Sequence, residues 1–308
     1  MDEPNALMRW VMFHFAGGDA LFAAAIGLLI ITFVPEDAKS AWRWTLLTGL
    51  VLIWGGFSSP AWPLALLIML LVFVLLWRVV VHVQSRKSPA VNVMTWCLRL
   101  VIVSLLLLER SGSGQVMHGP PPTSVCVIAD SITAGLNDGE VTWPRLFSER
   151  TGVEVFDASQ PGATYRSAIQ QAESLDDDRT PLVLEVGGND LLSGRSLADF
   201  SRDCEELCQR VCTPGRMVWM CELPLPPGKS QYGAAQRRIC RQQRVRLIPK
   251  REMMRVLTTA GATVDGIHLS LAGQQRFCDL MQETTGCITD MKLSTDRYYK
   301  IEHPRRTD

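Results

Sequence analysis

The sequence predicts an α/β fold, a three-layer α/β/α domain with a central parallel sheet, preceded by a four-helix transmembrane region. Three observations predict it. Composition changes abruptly along the 308 residues: seven of the nine tryptophans and most long aliphatic runs precede residue 100, while charge, glycine and proline are spread through the rest. Beyond residue 123, apolar runs of about five residues alternate with helical patterns, as parallel strands covered on both faces do. Polar clusters follow these short runs, at the strand ends where sites in such folds collect.

Four apolar runs, residues 13–34, 44–57, 61–81 and 91–108, make up the N-terminal third. A helix needs roughly 20 apolar residues to cross a hydrocarbon core. Runs one and three meet that length. Run two meets it only with residues 41–44, and run four is long enough but carries Arg99. Residues 1–9 are acidic rather than basic and the apolar pattern repeats, which argues against a secretory signal peptide. Residues 64–76 have no polar side chain on any face, unlike a surface helix. Trp10, Trp42, Trp44, Trp62 and Trp77 lie near run ends, as interfacial anchors do.

Lys39 and Arg43 mark the first loop and Arg78, Arg86 and Lys87 the third, whereas 58–60 carries no basic residue. The odd loops are therefore expected to be cytoplasmic, with both termini and the C-terminal domain on the non-cytoplasmic side. Parity decides the side: if run four lies in the interface, the domain changes sides. Arg99 is costly in mid-bilayer unless it snorkels or pairs. Asp19 is one candidate partner, and the alternative places Asp19 among the headgroups. Residues 1–110 are expected to form the anchor, 111–122 (SGSGQVMHGPPP) a linker, and 123–308 the second domain.

Within that domain the expected strands are 125–129, 153–156, 182–186, 217–221 and 245–248. The expected helices are 143–150, 165–175, 197–211, 231–243, 251–259 and 271–284. After the first strand comes Ala129-Asp130-Ser131-Ile132-Thr133. After the second comes Ser159-Gln160-Pro161-Gly162-Ala163, and after the third Gly187-Gly188-Asn189-Asp190. Late in the chain comes Asp265-Gly266-Ile267-His268.

In these blocks the chain resembles the SGNH/GDSL hydrolase family, over nearly the whole of 124–285 and in the family's order. The resemblance implies a serine esterase. It puts Ser131 at the nucleophile position, Asp265 and His268 at the positions of the acid and base, and Gly162 and Asn189 at the oxyanion positions beside the Ser131 backbone N–H. One departure is Ala129 where the family has glycine; alanine is small enough for a tight strand exit, though less free at positive φ.

The residues carry the same chemistry without the name. A serine hydroxyl is a weak nucleophile until a base takes its proton. Of the five histidines, His14 and His82 belong to the anchor, His118 to the linker and His303 to the tail, which leaves His268. Asp265, three residues earlier, is close enough to orient its ring. The backbone N–H groups of Ser131 and Gly162 and the Asn189 amide can supply oxyanion donors.

Each block also has a plainer reading. Ser131 suits a helix N-cap, Asn189 a turn, and Asp265 the cap of the last helix. Asp130, Gly188 and Asp190 read as support that holds the loops, as do Thr133, Asp138 and Trp143-Pro144.

Cys204, Cys208 and Cys212 repeat every four residues without a histidine, a spacing that suits buried small residues rather than a metal site. Disulfides to Cys221 or Cys240 are the alternative if the domain faces an oxidising compartment. Arg237, Arg238, Arg241, Arg244, Arg246, Lys250 and Arg251 crowd one stretch. That stretch reads either as a solvated face or as a patch that rests on anionic headgroups or steers an anionic substrate. The 31 basic side chains balance 31 acidic ones, so overall charge gives no argument for a nucleic-acid partner. The expected partners are the bilayer and an ester substrate, whether small molecule, lipid or acylated glycan. No cofactor or metal is implied, and nothing sets the oligomeric state. An acyltransferase acting on a sugar or lipid hydroxyl, and a non-catalytic binding module on the same fold, are the alternative functions.

Overall fold

The structure, a computed structural model, describes residues 4–34, 41–58, 64–84, 88–112, 121–137, 139–175 and 179–287. Lys39, Trp62, Arg86, Lys87, His118, Asp138 and His303 lie outside these.

The N-terminal part is helical. It consists of α1 (Ala6–Ala16), α2 (Asp19–Ile31), α3 (Ala41–Phe57), α4 (Leu64–Val83) and α5 (Pro89–Gly112). The first apolar run is not one helix. It breaks at Gly17-Gly18, and α1 and α2 meet at a 72° bend. Gly18 has φ +90°, and a Cβ there would stand 3.1 Å from Lys250 Cε, so both the backbone and the neighbour favour glycine.

The bend leaves α2 with 13 residues, roughly 20 Å of helix at 1.5 Å per residue, short of a bilayer core. Among the described residues, one helix, Pro89–Leu107, is long and apolar enough by itself to cross a membrane. The bent α1–α2 pair qualifies only as one broken span, and Ile68–Val83 is a shorter apolar stretch. The expectation of four spanning helices is thus corrected: length and composition support one.

The helices run antiparallel. The start of α2 meets the end of α3, where the Ser58 hydroxyl accepts from Leu21 N–H at 2.9 Å. The start of α3 meets the end of α4, where Arg78 donates to the Thr45 hydroxyl at 2.6 Å. Trp77 Nε1 on α4 donates to the Thr95 hydroxyl on α5 at 3.0 Å. Arg99 does not pair with Asp19. It donates to the Thr32 hydroxyl and carbonyl at 2.9 and 2.8 Å, capping the negative end of α2, and its guanidinium lies over the Phe33 ring. Asp19 instead faces Arg251 of the second domain at 3.3 Å.

That domain opens with β1 (Ser124–Ala129), α6 (Ser131–Ala134), α7 (Trp143–Thr151), β2 (Glu154–Asp157) and α8 (Tyr165–Glu173). It continues through β3 (Leu182–Glu185), α9 (Gly188–Leu192), α10 (Leu197–Val211), β4 (Val218–Cys221) and α11 (Ser230–Gln243). β5 (Arg246–Ile248), α12 (Lys250–Leu257) and α13 (Leu271–Thr285) complete it. Five parallel strands form one sheet in the order β2-β1-β3-β4-β5. The order reverses between β1 and β3, which opens a crevice at their carboxyl ends.

Alternate strand residues feed two cores, because side chains along a strand point to opposite faces. Cys126, Ile128, Leu182 and Leu184 pack under α8, α10 and α11, while Val125, Val127, Val183 and Trp219 pack under α7, α12 and α13. Cys204 and Cys208 fill the first core as thiols, with the Cys240 thiol 3.6 Å from Met220 Sδ. All nine cysteines are free, so the disulfide alternative has no counterpart here.

The basic stretch is neither a uniform solvated face nor a uniform headgroup patch. Arg237 and Lys250 are buried. Arg237 chelates Glu109 of α5 at 2.9 and 3.0 Å and also pairs with Glu222. Lys250 N–H donates to Glu222 at 3.1 Å, and its ammonium lies 3.9 Å from Glu109. Burial pulls the Lys250 ammonium below its ordinary range, against the two carboxylates. This buried foursome bolts the last N-terminal helix to the second domain. The expected linker therefore begins as helix, since α5 continues to Gly112.

Candidate active site

β1 ends at Ala129 in extended backbone, so the alanine that replaces the family glycine demands no unusual conformation; Arg244 is the one described non-glycine residue at positive φ. Asp130 then caps α6, its carboxylate accepting from Ile132 N–H at 2.9 Å. The plainer reading of Ser131 as the cap therefore fails. Ser131 is the first residue of the helix, and its hydroxyl is free to point elsewhere.

It points at His268. Ser131 Oγ lies 3.1 Å from His268 Nε2, and His268 Nδ1 lies 2.7 Å from Asp265 Oδ2. Asp265 does not cap the last helix; Ser270 does, accepting from Gly273 N–H at 3.3 Å. The other Asp265 oxygen accepts from Ile267 and His268 N–H at 3.0 and 2.9 Å, fixing the loop. Burial would push this carboxyl up. The hydrogen bonds from the His268 ring and the two backbone N–H groups outweigh it and bring the carboxyl down to about 2. An ionised Asp265 only accepts, so His268 carries its proton on Nδ1 and offers the Nε2 lone pair to the Ser131 hydroxyl.

The loops after β2 and β3 close over the same end of the sheet. Gly187 has φ +107°, and a Cβ there would lie 2.9 Å from the Tyr165 ring, so no other residue fits. Gly188 and Asn189 begin α9. The Asn189 amide donates to Ala163 O at 3.0 Å and to Asp130 Oδ2 at 3.2 Å, which ties together the three loops. Gly162, at φ +77°, turns the chain just before Ala163. Asp190 is buried and accepts from Tyr165 N–H at 2.9 Å. Burial raises its carboxyl, and Arg195, 3.5 Å away, offsets part of that.

Two residues were not singled out in the sequence. Glu185, at the end of β3, is buried beneath α6 and accepts from the Thr133 hydroxyl at 3.1 Å, which in turn accepts from Trp143 Nε1 at 2.9 Å. Burial, and then the neighbouring Asp130 charge, raise the Glu185 carboxyl well above the ordinary range. Kept neutral, Glu185 can donate to Asp130, whose own carboxyl is raised by burial. A charged residue inside the apolar run 182–186 was the available signal. Gln274 of α13 is the other, accepting from Trp143 N–H at 2.8 Å and donating to Ile132 O at 3.1 Å. Among the described residues no group of side chains could hold a metal ion.

Residues 130–276 match the model of the GDSL-like Lipase/Acylhydrolase family. The match lies wholly within the second domain, a GDSL-like domain by similarity. The GDSL-like domain makes this chain a serine hydrolase acting on ester bonds. Esterase TesA of Pseudomonas aeruginosa is 27% identical over 199 residues, covering 58% of this chain and 90% of that protein. A crystal structure of TesA superposes with a TM-score of 0.46 at 27% identity, covering 54% of this chain and 99% of that one. The psychrotrophic esterase EstA from Pseudoalteromonas sp., inhibited by monoethylphosphonate, gives a TM-score of 0.47 at 17% identity, covering 53% and 96%.

Proposed function

We propose that the chain is a membrane-anchored esterase in which Ser131 is the nucleophile, His268 the general base and acid, and Asp265 the residue that orients the ring. The observation that carries this reading is the unbroken line from Asp265 Oδ2 through the imidazole to Ser131 Oγ, at 2.7 and 3.1 Å.

Ser131 Oγ attacks the ester carbonyl carbon as His268 Nε2 takes the hydroxyl proton. The oxyanion meets the backbone N–H groups of Ser131 and Gly162 and the Asn189 amide. Both Asn189 amide hydrogens are engaged in hydrogen bonds. The bond to Asp130 is the longer, at 3.2 Å, and it is the hydrogen a developing oxyanion recruits. Collapse expels the alcohol, which receives the proton from His268. Water then repeats the sequence on the acyl-enzyme, His268 takes its proton, and the carboxylic acid leaves.

Membrane anchoring draws on the outer faces of the helices. Leu50, Leu100 and Met69 are 64%, 65% and 67% exposed, and Leu46, Ile53, Leu75, Val79 and Leu107 are exposed beside them. A water-facing helix would carry polar residues there, and lipid would cover what is present. Arg43, Arg78 and Arg99 belong to the end remote from the GDSL-like domain, so the positive-inside rule assigns that domain to the non-cytoplasmic side.

The test is hydrolysis of short p-nitrophenyl esters by the full chain in detergent, scored for free acid and for transfer to an added alcohol. Ester cleavage that Ser131→Ala abolishes is expected. Cleavage that survives in Ser131→Ala removes the reading, and transfer in preference to release makes the enzyme an acyltransferase.

A further inference from the structure

A cavity of about 510 Å³ opens beside the reacting groups, and its walls come from both parts of the chain. Ile132, next to the nucleophile, Gly188, next to Asn189, and Ile267, next to His268, line its inner end. Met12, Phe15 and Ala16 of α1 line the opposite wall. α1 lies outside the 130–276 segment that matches the family, so this wall is supplied from beyond the matched segment. The Gly17-Gly18 bend turns α1 out of the line of α2, and at that bend Gly17 lies against Met254 and Gly18 against Lys250, both on α12.

A second observation bears on what enters. Among the described residues of the GDSL-like domain, six large apolar side chains are exposed: Leu136, Phe156, Leu192, Val264, Ile267 and Leu271. All but Phe156 lie on the segments that carry Ser131, Asn189 and His268. Leu192, at the end of α9, is 70% exposed. An apolar rim around a polar catalytic line is costly in water and suits contact with lipid.

We propose that the cavity receives the acyl chain of a membrane lipid ester, and that α1 is the wall that sets how long a chain is accepted. The proposal rests on the esterase reading and adds a substrate class and a specificity element to it. The ester carbonyl lies at Ser131, the chain runs from Ile132 towards α1, and the alcohol portion stays at the rim. Substrate passes from the bilayer surface to the nucleophile along apolar surface throughout. The cavity gains by burying each methylene until it is full, so kcat/KM climbs roughly fourfold per added methylene and then levels.

The experiment uses the full chain in nanodiscs with p-nitrophenyl esters of 4, 8, 12 and 16 carbons. The expected result is a rise with acyl length. Met12→Trp and Ala16→Trp, which fill the cavity from α1, lower the ratio of 12-carbon to 4-carbon kcat/KM at least tenfold. Met12→Ala, which widens it, moves the optimum to longer chains and serves where a tryptophan variant does not fold. Leu50→Trp, on the outer face of α3, leaves the ratio unchanged. Equal ratios in wild type and in Met12→Ala and the folded α1 variants overturn the proposal while Ser131-dependent cleavage of the 4-carbon ester stands. Loss of that Ser131 dependence instead overturns the esterase reading beneath it.

Discussion

Glu109, in the last N-terminal helix, chelates Arg237 of the GDSL-like domain through two hydrogen bonds of 2.9 and 3.0 Å, with both side chains buried. Glu222 and Lys250 complete the cluster. Removing one partner strands a charge away from water, which typically costs about 3–5 kcal/mol. Glu109→Ala is therefore expected to lower stability in urea denaturation by about that amount. Combining it with Arg237→Met is expected to cost clearly less than the sum of the two single changes, because the two act on one network.

Asp265 gives a pH-dependent contribution whose sign is fixed. Its carboxyl is held at about 2 when folded, against roughly 3.9 in an unfolded chain. The stabilisation is fully present above the unfolded value and fades as pH falls from about 4 towards 2. In thermal melts from pH 7 to pH 2.5, Asp265→Asn should lie below wild type by a constant margin at the upper end, with the gap closing below about pH 4. In turnover, the same change should lower kcat by roughly 10⁴, because asparagine favours the wrong imidazole tautomer.

Asn189→Ala removes one oxyanion donor and is expected to lower kcat by roughly 10²–10³ with little change in KM. Steady-state kinetics on a short ester checks it. A raised KM with kcat unchanged would mean that Asn189 serves only to tie Ala163 to Asp130.

Burial, and then the Asp130 charge, push the Glu185 carboxyl well above its ordinary range, towards the neutral form. Glu185→Gln keeps a neutral side chain that can still accept from Thr133, so it should leave melting temperature and kcat close to wild type at pH 7. Glu185→Ala leaves the Thr133 and Asp130 groups short of a partner and should cost about 1–3 kcal/mol. Equal losses in both variants would mean that Glu185 acts as a carboxylate.

What the sequence made legible follows what is local. Each expected strand and each longer helix of the GDSL-like domain is present within a few residues, because apolar period and cap residues act over one or two turns. The four polar blocks were readable because each follows its own strand or turn. The helices α6 and α9 were not foreseen; four or five residues are too few to show a period. The bend at Gly17-Gly18 was hidden inside a continuous apolar run, since hydropathy does not register a change of direction. The Glu109–Arg237 pair and the α1 wall of the cavity join residues far apart in the chain, and only the folded chain reveals such partners.

The central claim is that Ser131, activated by His268, attacks the ester. Fluorophosphonate labelling of the detergent-solubilised full chain, with the modified peptide identified by mass spectrometry, tests it most directly. The account predicts one adduct, on Ser131, formed rapidly by the wild type and slowed by several orders of magnitude in His268→Ala. An adduct on another residue, or labelling of Ser131 at the same rate without His268, would contradict it.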